Sequence, residues 1–383
     1  MNSTEPTVRI LTFDEFLREE SAWNELVLSS RSPVPFLCHQ WLCAWWRHFG
    51  EGQEFAAPVV TVGGSFVAGA ALGVRRVRGL PLRVAEIVGT APVPTRGMGL
   101  ADKADLLVRD DAPHALEPLA SALQKLLGRV DVLDVKGFDE GSPTGGSLGR
   151  SARELVRSVS SYLTLPSTWD EYLASRSGNF RKHLRKYKRG LDGLGSVELR
   201  RLGPQDDCAA WMSEVLAVND ASWKAERGTN LFRHPSIQGF FVDLVPRMAE
   251  AGWLDLHMLR LDGKAVAYEL CFDFGGRVFS YNGSYRQELG KHSPGTVVTA
   301  AVIEAACARG CSEYDMLRGE ESYKTRWSET SRTEHQSFVA ASRPLARLYG
   351  YWGIYAKARM KGWRWLSELD DRLTGWRTRL RHK

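Results

Sequence analysis

The feature that most constrains the fold of this chain is a pattern of turns, strands and a helix that occurs twice. Residues 63–72, GGSFVAGAAL, align with residues 262–270, DGKAVAYEL, so that a glycine turn and an apolar strand match in each half. Further along, a helical segment leads into a strand that ends LDVKG (133–137) or YDMLRG (314–319). Chance similarity between two ordinary α/β units is one explanation. The shared order of hairpin, strand, helix and strand favours a tandem duplication.

The length of 383 residues suits two domains of ordinary size. We therefore predict an α/β chain with two copies of one fold, each with a mixed central sheet flanked by helices. The most glycine- and serine-rich stretch, residues 139–151, indicates a linker or a mobile loop. Domains are therefore predicted over residues 1–150 and 151–340, followed by a basic helical tail over residues 341–383.

The positive charge of the chain is concentrated in this tail. The net charge is +6, and residues 341–383 hold eleven Lys and Arg against three acidic residues. Tryptophans stand among these basic residues, a pattern that suits an amphipathic helix lying on an anionic membrane surface. The alternative is a terminal helix that packs back on the protein.

The rest of the composition indicates a cytoplasmic protein. No apolar run approaches the ~18–20 residues of a membrane span, and the N-terminus lacks the basic and apolar regions of a signal peptide. Six cysteines form no CxxC pair, which is typical of a reducing compartment. We expect a cytoplasmic location, with peripheral attachment at the inner membrane face if the tail binds membrane. No metal is expected, because no His, Cys or Asp cluster has ligand spacing.

Three segments of the second half carry a resemblance to known enzymes: SGNFRKHLRKYKRGLDGLG (177–195), SPGTVVTAAVIEAACARG (293–310) and YDMLRGEESYKTRWSE (314–329). Together with the strand order, they resemble the GNAT-type N-acyltransferases. The doubled plan resembles the Fem-type aminoacyltransferases. The nearest look-alike is the bacterial acetyltransferase-like group associated with cellulose or exopolysaccharide synthesis. The resemblance covers residues 160–340 and implies transfer of an acyl group to an amine, with acyl-CoA as co-substrate.

The start of the helix near residue 295 is the candidate donor site. Ser293 is the expected N-cap before Pro294, and free N–H groups at a helix start suit a pyrophosphate. GNAT enzymes bind pyrophosphate here through a glycine-rich loop, whereas this chain has LGKHSPG, with two glycines. An ordinary capped helix is the alternative. The predicted donor contacts are Tyr281, Asn282, Lys291, His292, Ser293, Gly295 and Thr296.

The strand before that helix, residues 277–285, should separate from its neighbour, as strands do at the donor cleft of a GNAT fold. Its free backbone groups would then pair with the donor. Strict alternation along the strand predicts that Ser280, Asn282 and Ser284 share one face. A half-buried strand with one polar face explains the pattern equally well.

Four residues are the candidate catalytic groups. Glu269 interrupts an apolar strand, so it either faces solvent or acts as a general base that takes a proton from an attacking ammonium. Asp315 lies inside the strand that opens YDMLRGEESYKTRWSE. In related proteins the matching stretch lines the cleft, which implies that Tyr323 returns a proton to the leaving group. Lys324 would hold a phosphate or a carboxylate.

The same stretch also supplies candidate substrate contacts. Glu320 and Glu321 suit the first turn of a short helix, but helix capping leaves the other charges unexplained. Because ligands bind beyond the carboxyl ends of strands in α/β sheets, Arg318 and Glu321 are predicted at the rim of the cleft. Trp223 and Lys224, near the end of an earlier helix, are predicted to face it as well.

The basic helix 177–195 carries six Lys and Arg within residues 181–189. It is either a solvated surface or a wall for an acidic partner such as a nucleotide sugar, an anionic polymer or tRNA. The favoured function is N-acyl transfer from acyl-CoA to an amine, with an amino sugar or a cell-envelope precursor as candidate acceptor. The alternatives are a Fem-like enzyme that uses aminoacyl-tRNA, and a non-catalytic membrane-surface partner of a polysaccharide synthase.

Overall fold

A computed structural model describes residues 5–93, 99–226, 230–319 and 321–356. The first half contains eight strands and four α-helices among these residues. In chain order they are β1 (Thr7–Leu11), α1 (Phe13–Phe16), α2 (Glu20–Leu28), α3 (His39–Phe49), β2 (Glu54–Val62), β3 (Ser65–Gly69), β4 (Leu72–Arg76), β5 (Arg83–Ile87), β6 (Leu107–Val108), α4 (Leu116–Leu126), β7 (Val132–Asp139) and β8 (Arg153–Thr164).

The second half repeats the core of this order, hairpin, strand, helix and two strands. Its elements are α5 (Trp169–Ser175), α6 (Gly178–Asp192), β9 (Val197–Arg201), α7 (Cys208–Asp220), α8 (Trp223–Glu226), α9 (Pro235–Glu250), β10 (Leu254–Leu261), β11 (Lys264–Phe274), β12 (Arg277–Tyr285), α10 (Pro294–Ala308), β13 (Glu313–Arg318), β14 (Ser331–Ala340) and α11 (Pro344–Leu348). The two central half-sheets are joined into one continuous sheet. Its order is β6-β3-β2-β4-β5-β7-β14-β8-β13-β12-β11-β10-β9, and β1 pairs with β2. The predicted α/β fold of two mixed half-sheets flanked by helices is confirmed.

The two halves match in register as well as in order. In the first half, residues 84–86 of β5 pair in parallel with residues 132–134 of β7. In the second, residues 277–279 of β12 pair in parallel with residues 313–315 of β13. A register shift also occurs at the same place in both hairpins, at Val60 in one and Leu259 in the other. This agreement in detail favours duplication over chance similarity.

The halves exchange their last strands. β8 follows β7 in the chain but pairs with β13, whereas β14 follows β13 but pairs with β7. The two exchanged strands pair with each other, with Ser158 opposite Glu334, and the Ser158 hydroxyl donates to that carboxylate at 2.6 Å. Tyr162 lies opposite Asp315 and Phe338 opposite Asp134. Tyr162 is four residues after Ser158, and Phe338 is four residues after Glu334. The two exchanged strands are therefore related by an approximate twofold axis beside the Ser158–Glu334 pair.

Three clusters of buried side chains pack against the sheet. The largest joins the halves, because Trp41 of α3 contacts Phe240 of α9 with ring centroids 5.2 Å apart. The second lies in the second half, under α5, α6 and α10, and the third contains Val84, Val132, Phe338 and Ile354. The predicted boundary near residue 150 falls in the turns between β7 and β8. The domain limits stay a prediction.

The basic helix predicted over 177–195 is present as α6, and the Ser177 side chain accepts from Phe180 N at 3.1 Å at its start. The short helix expected around Glu321 was wrong, because the segment is a turn followed by one 3₁₀ turn at Lys324–Arg326. In the described part of the tail, α11 leads into a π-helical segment, Tyr349–Ala356. Glu320 and residues 357–383 lie outside the described residues.

Candidate functional site

The centre of the candidate site is a gap between two parallel strands. The ladder between β12 and β13 stops at Phe279 and Asp315, although β12 continues to Tyr285 and β13 to Arg318. The predicted separation of these strands is therefore present. Beyond the last pair, the two strands no longer hydrogen-bond to each other, which leaves room between them for a bound molecule.

A bulge in β12 decides which side chains face the two sides of this gap. The register with β11 shifts after Leu270, which pairs with Asn282, whereas Cys271 pairs with Ser280. The strict alternation expected for β12 is therefore wrong, because Ser280 and Asn282 point to opposite faces. Ser280 donates to Glu269, whereas Asn282 accepts from the Tyr268 hydroxyl on the other face. Bulges often re-aim a side chain beside a functional site.

Glu269 lies on the face of the sheet that α10 covers, and it is only 4% exposed. Its carboxylate accepts from the hydroxyls of Ser280 at 2.7 Å and Thr299 at 2.6 Å, and from that of Tyr314. Burial, and then the charge of Glu269, raises the pKa of Tyr314. The phenol therefore stays protonated and donates a hydrogen bond to the carboxylate. The alternative of a solvent-facing Glu269 is excluded.

The first half has no equivalent of this carboxylate. By register, Ala70 stands where Glu269 stands, since Gly69 pairs with Val59 as Tyr268 pairs with Met258. Leu133 likewise occupies the position of Tyr314. The polar cluster is thus a feature of the second copy alone, beyond what the shared fold requires.

The start of α10 lies at the end of the gap. Ser293 is in the N-cap position but has a left-handed φ of 46°, and its side chain makes no capping hydrogen bond. Backbone strain of this kind is concentrated at functional sites. Among the described residues, the Gly295 N–H has no hydrogen-bond partner. Lys291 is exposed, while His292 is half-buried and lies against Gly190 of α6.

A groove of about 920 Å³ runs from α10 along α6 to the segment after β13. Thr296, in the first turn of α10, lines it together with His183 and Tyr187 of α6. Thr299 is three residues further on the same helical face, where it donates to Glu269. The groove and the buried carboxylate therefore lie along one face of α10.

Lys324 closes the carboxyl end of β13 from inside the protein. Its ammonium donates to the carbonyls of Leu317 at 3.0 Å and Arg318 at 2.9 Å, and it pairs with the exposed Glu321 at 3.0 Å. The side chain is only 3% exposed. These contacts support a structural role. Tyr323, half exposed beside it, has its pKa raised by loss of hydration and then by the charges of Glu321 and Glu269.

The other charged residues of β13 point away from the groove. Asp315 is fully buried, where it accepts from Leu317 N at 2.7 Å and lies 3.5 Å from the Lys103 ammonium. Arg318 bonds Gly99 O at 3.1 Å and Asp102 at 2.5 Å, both in the first half. These contacts make Asp315 and Arg318 part of the junction between the halves.

The remaining candidates lie on the face of β12 opposite α10. Tyr281 donates to Leu100 O at 2.9 Å, so its hydroxyl is bound to the first half. Lys224 of α8 donates to the Gly283 carbonyl at 2.7 Å, beyond the point where β12 leaves β13. Trp223 precedes it and is half-buried. The structure thus brings Glu269, Thr296 and Tyr323 to the face of the sheet that α10 covers. It brings Tyr281, Asn282 and Lys224 to the opposite face of the sheet.

Tyr314, Ser280 and Thr299 are contacts of Glu269 that the sequence analysis missed. A signal for one of them was present, since Thr299 is a polar residue within the apolar run VVTAAV. Nothing in the sequence alone shows that three hydroxyls from three elements converge on one carboxylate, because strand register and helix position decide it.

Comparison with known proteins agrees with this arrangement. Residues 178–325 match the family model described as an acetyltransferase (GNAT) domain. No curated protein matches the chain. A crystal structure of FemX superimposes with a TM-score of 0.66 at 12% identity, over 86% of this chain and 98% of FemX. Residues 178–325 therefore resemble a GNAT acetyltransferase domain, and the whole chain resembles FemX in its fold.

Two further structures share the fold. One is the C-terminal domain of a putative lysylphosphatidylglycerol synthetase from Agrobacterium fabrum, with a TM-score of 0.54 at 11% identity, over 87% of this chain and 94% of that domain. The other is a protein of unknown function from Bacteroides thetaiotaomicron, with a TM-score of 0.55 at 11% identity, over 85% of this chain and 97% of that one. At such identities the likeness concerns the fold.

Proposed function

We propose that the second half transfers an acyl group from a thioester to an amine, in the gap between β12 and β13. One observation carries the proposal. The only buried carboxylate that borders this gap on the α10 face, among the described residues, is Glu269, and its twin position in the first half is Ala70. The shared fold needs no charge at this position, yet the second copy holds a buried, hydrogen-bonded carboxylate beside the separated strands.

The transfer requires one proton to leave the amine and one to reach the leaving group. The amine nitrogen attacks the thioester carbonyl, and Glu269 accepts the ammonium proton, directly or through one water. The carbon–sulfur bond then breaks, and Tyr323 gives its proton to the thiolate. Backbone N–H groups of the gap stabilise the carbonyl oxygen as it becomes negative. Positioning of the two substrates supplies most of the remaining acceleration.

The proposed donor is acyl-CoA, with no metal required. Its pyrophosphate would bind at the start of α10, at Gly295 and Thr296, with Lys291 and His292 beside it. The exposed cations of α6, among them Lys182 and Lys186, would attract the phosphates of the nucleotide. The groove of about 920 Å³ has room for a ligand of this class.

An amino sugar or a cell-envelope or exopolysaccharide precursor is the proposed acceptor, at Trp223, Lys224 and Glu321, whereas Arg318 is bound to the first half. A cytoplasmic location follows from this proposal, with tail contact to an anionic membrane as its extension. Exposed Leu348, Tyr351 and Trp352 support that contact. No helix in the described part of the chain is long and apolar enough to cross a membrane.

The second candidate is a Fem-like transfer in which aminoacyl-tRNA is the donor. The specific support is α6, whose exposed face carries Lys182, Arg185, Lys186, Lys188 and Arg189. Such a stripe suits a polyanion, and binding would then weaken steeply with salt. The likeness of the whole chain to FemX agrees with this candidate at the level of the fold.

A thermal-shift series tests the donor. We expect acyl-CoA of at least one chain length to raise the melting temperature of the wild type. Lys324→Ala, with Lys264→Ala as a surface control, reports whether the end of β13 shapes the donor site. If only tRNA stabilises the protein, and does so in low salt alone, the second candidate replaces the first. If neither does, and liposome binding is lost on removing residues 341–383, the protein is a non-catalytic membrane partner.

A further inference from the structure

A second cavity lies at the junction of the halves, on the side of the sheet away from α10. Its volume is about 500 Å³. It opens at the carboxyl end of β7, the first-half twin of β13, where ligands bind in α/β sheets. First-half segments line it at residues 30–34, 103–108 and 137–143, and the exchanged strands β8 and β14 complete the wall.

One wall of this cavity is a buried ammonium held by carboxylates. Lys103 is 4% exposed, and its Nζ lies 2.9 Å from Asp139, 3.5 Å from Asp315 and 3.9 Å from Glu334. Burial alone would lower the pKa of Lys103, but these three negative charges outweigh burial and raise it. Lys103 is therefore charged, and it fixes the orientation of Asp139 at the cavity.

Beside this ammonium, a guanidinium is stacked on an aromatic ring, and its Nη1 lies 3.7 Å from Asp139, the carboxylate that Lys103 also contacts. Arg332 of β14 lies 3.8 Å from the ring centroid of Tyr162 of β8, and its Nη2 is 2.5 Å from Glu313. Both Arg332 and Glu313 line the cavity. The buried Nε of Arg332 and Oε1 of Glu313 have no hydrogen-bond partner among the described residues, although Oε1 lies 3.9 Å from the Arg277 guanidinium. One donor of a cation and one acceptor of an anion, each without a hydrogen bond, thus lie in the same cavity.

Unused buried groups of opposite charge call for a ligand that satisfies both, since an unpaired buried polar atom is costly. We propose that this cavity binds a small zwitterion of the amino-acid class. Its carboxylate pairs with Arg332, and its ammonium pairs with Glu313 and Asp139. A guanidinium suits a carboxylate because its fork of donors matches the two oxygens. The mixed charge does not suit a ligand that is an anion alone.

This site is separate from the proposed donor groove. Tyr314 and Asp315 are neighbours in β13 and point to opposite faces, Tyr314 toward Glu269 and Asp315 toward Lys103. One strand therefore forms the boundary between the two sites. Binding at the junction can be tested without any turnover and without any acyl donor.

The test is a binding screen of the standard L-amino acids against the full-length protein by isothermal titration calorimetry and ligand-observed NMR. We expect saturable binding of at least one amino acid at or below about 1 mM. On the wild-type protein, the N-acetyl form and the carboxamide of that amino acid should each bind at least about tenfold more weakly. Because this comparison uses only the wild-type protein, its result does not depend on whether a variant folds.

Variants of two cavity residues test whether the amino acid binds in this cavity. Glu313→Gln and Arg332→Lys should weaken binding at least about tenfold, whereas Glu304→Gln, on the exposed surface of α10, should leave it unchanged. The acyl-CoA thermal shift should be the same in Glu313→Gln as in wild type, which separates this inference from the proposed function. Absence of saturable binding for every amino acid, or equal affinity of the blocked analogues, overturns the inference.

Discussion

Glu269 is the residue on which the proposed chemistry depends. A carboxylate that is buried on all sides is costly unless donors surround it, and here three hydroxyls do so. Sequence alone identified Glu269 as unusual because it interrupts an apolar strand. It gave no means of finding Tyr314, whose position opposite Glu269 depends on how β12 lies between β11 and β13.

Removing the charge of Glu269 should abolish most of the turnover. Glu269→Gln keeps the size, its amide oxygen can accept from Ser280, and its NH2 group can donate to the Thr299 hydroxyl, so the fold should persist. We expect the rate of thiol release to fall about 10²–10⁴-fold, the range for loss of a general base. Glu304→Gln is the matched control and should be unaffected. An unchanged rate in Glu269→Gln would remove the residue from the mechanism.

Asp105 gives a prediction about stability rather than activity. Burial raises its pKa to about 6, against hydrogen bonds from Thr144, Ser142 and Leu106 N that favour the charged form. Its carboxyl binds its proton more tightly in the folded than in the unfolded chain. Stability should therefore fall as pH rises from about 4 to about 6, by at most about 3 kcal/mol at about 1.4 kcal/mol per unit.

Urea unfolding of Asp105→Asn measures the contribution of this carboxyl to the pH dependence of the free energy of unfolding. The amide keeps an oxygen acceptor but does not titrate. The variant should show a smaller loss of stability than the wild type between pH 4.5 and pH 7, in the same buffers. Parallel curves for the two proteins over that range would contradict the assignment.

At the scale of elements, the end of β13 shows how contacts override a local pattern. The sequence predicts a short helix after Arg318, because two acidic residues suit a first turn. The structure instead has Lys324 folded back on the carbonyls of residues 317–319. An ammonium that satisfies three carbonyls ends the strand and fixes the turn, and no periodicity in the sequence reports such a contact.

Replacing that ammonium should loosen the segment from β13 to β14. Lys324→Ala leaves buried carbonyls without a donor, at a cost of about 1–3 kcal/mol for an unsatisfied group. We expect a lower melting temperature and faster proteolysis after Arg326, relative to Lys264→Ala. Wild-type stability in Lys324→Ala would show that solvent replaces the ammonium and that the residue is free for another role.

At the scale of the whole molecule, the exchanged strands bind the two halves into one unit. The repeated unit and the fold class could be predicted from the sequence, because hairpin turns and apolar strands recur in the same order. The exchange could not, since a strand pairs equally well with either copy of a duplicated neighbour. The pairing of β14 with both β7 and β8 is settled only by the packing of the complete chain.

Removal of β14 tests whether the exchanged strands hold the two halves together. Removing residues 331–383 takes away β14 and exposes the edges of β7 and β8, which are templates for aggregation. We expect this form to lose its cooperative thermal transition and to aggregate, whereas a form ending at Ala356 keeps both the transition and solubility. A folded, monomeric protein lacking β14 would contradict the single continuous sheet.

The central claim is that the second half holds the working donor cleft, and hydrogen exchange with and without saturating acetyl-CoA tests it most directly. Binding should slow amide exchange in residues 280–285 of β12 and 293–299 of α10. The corresponding segments of the first half, residues 87–92 after β5 and residues 112–118 at the start of α4, should exchange as before. Slowing confined to the first half, or no slowing with acetyl-CoA or a longer acyl-CoA, would contradict the account.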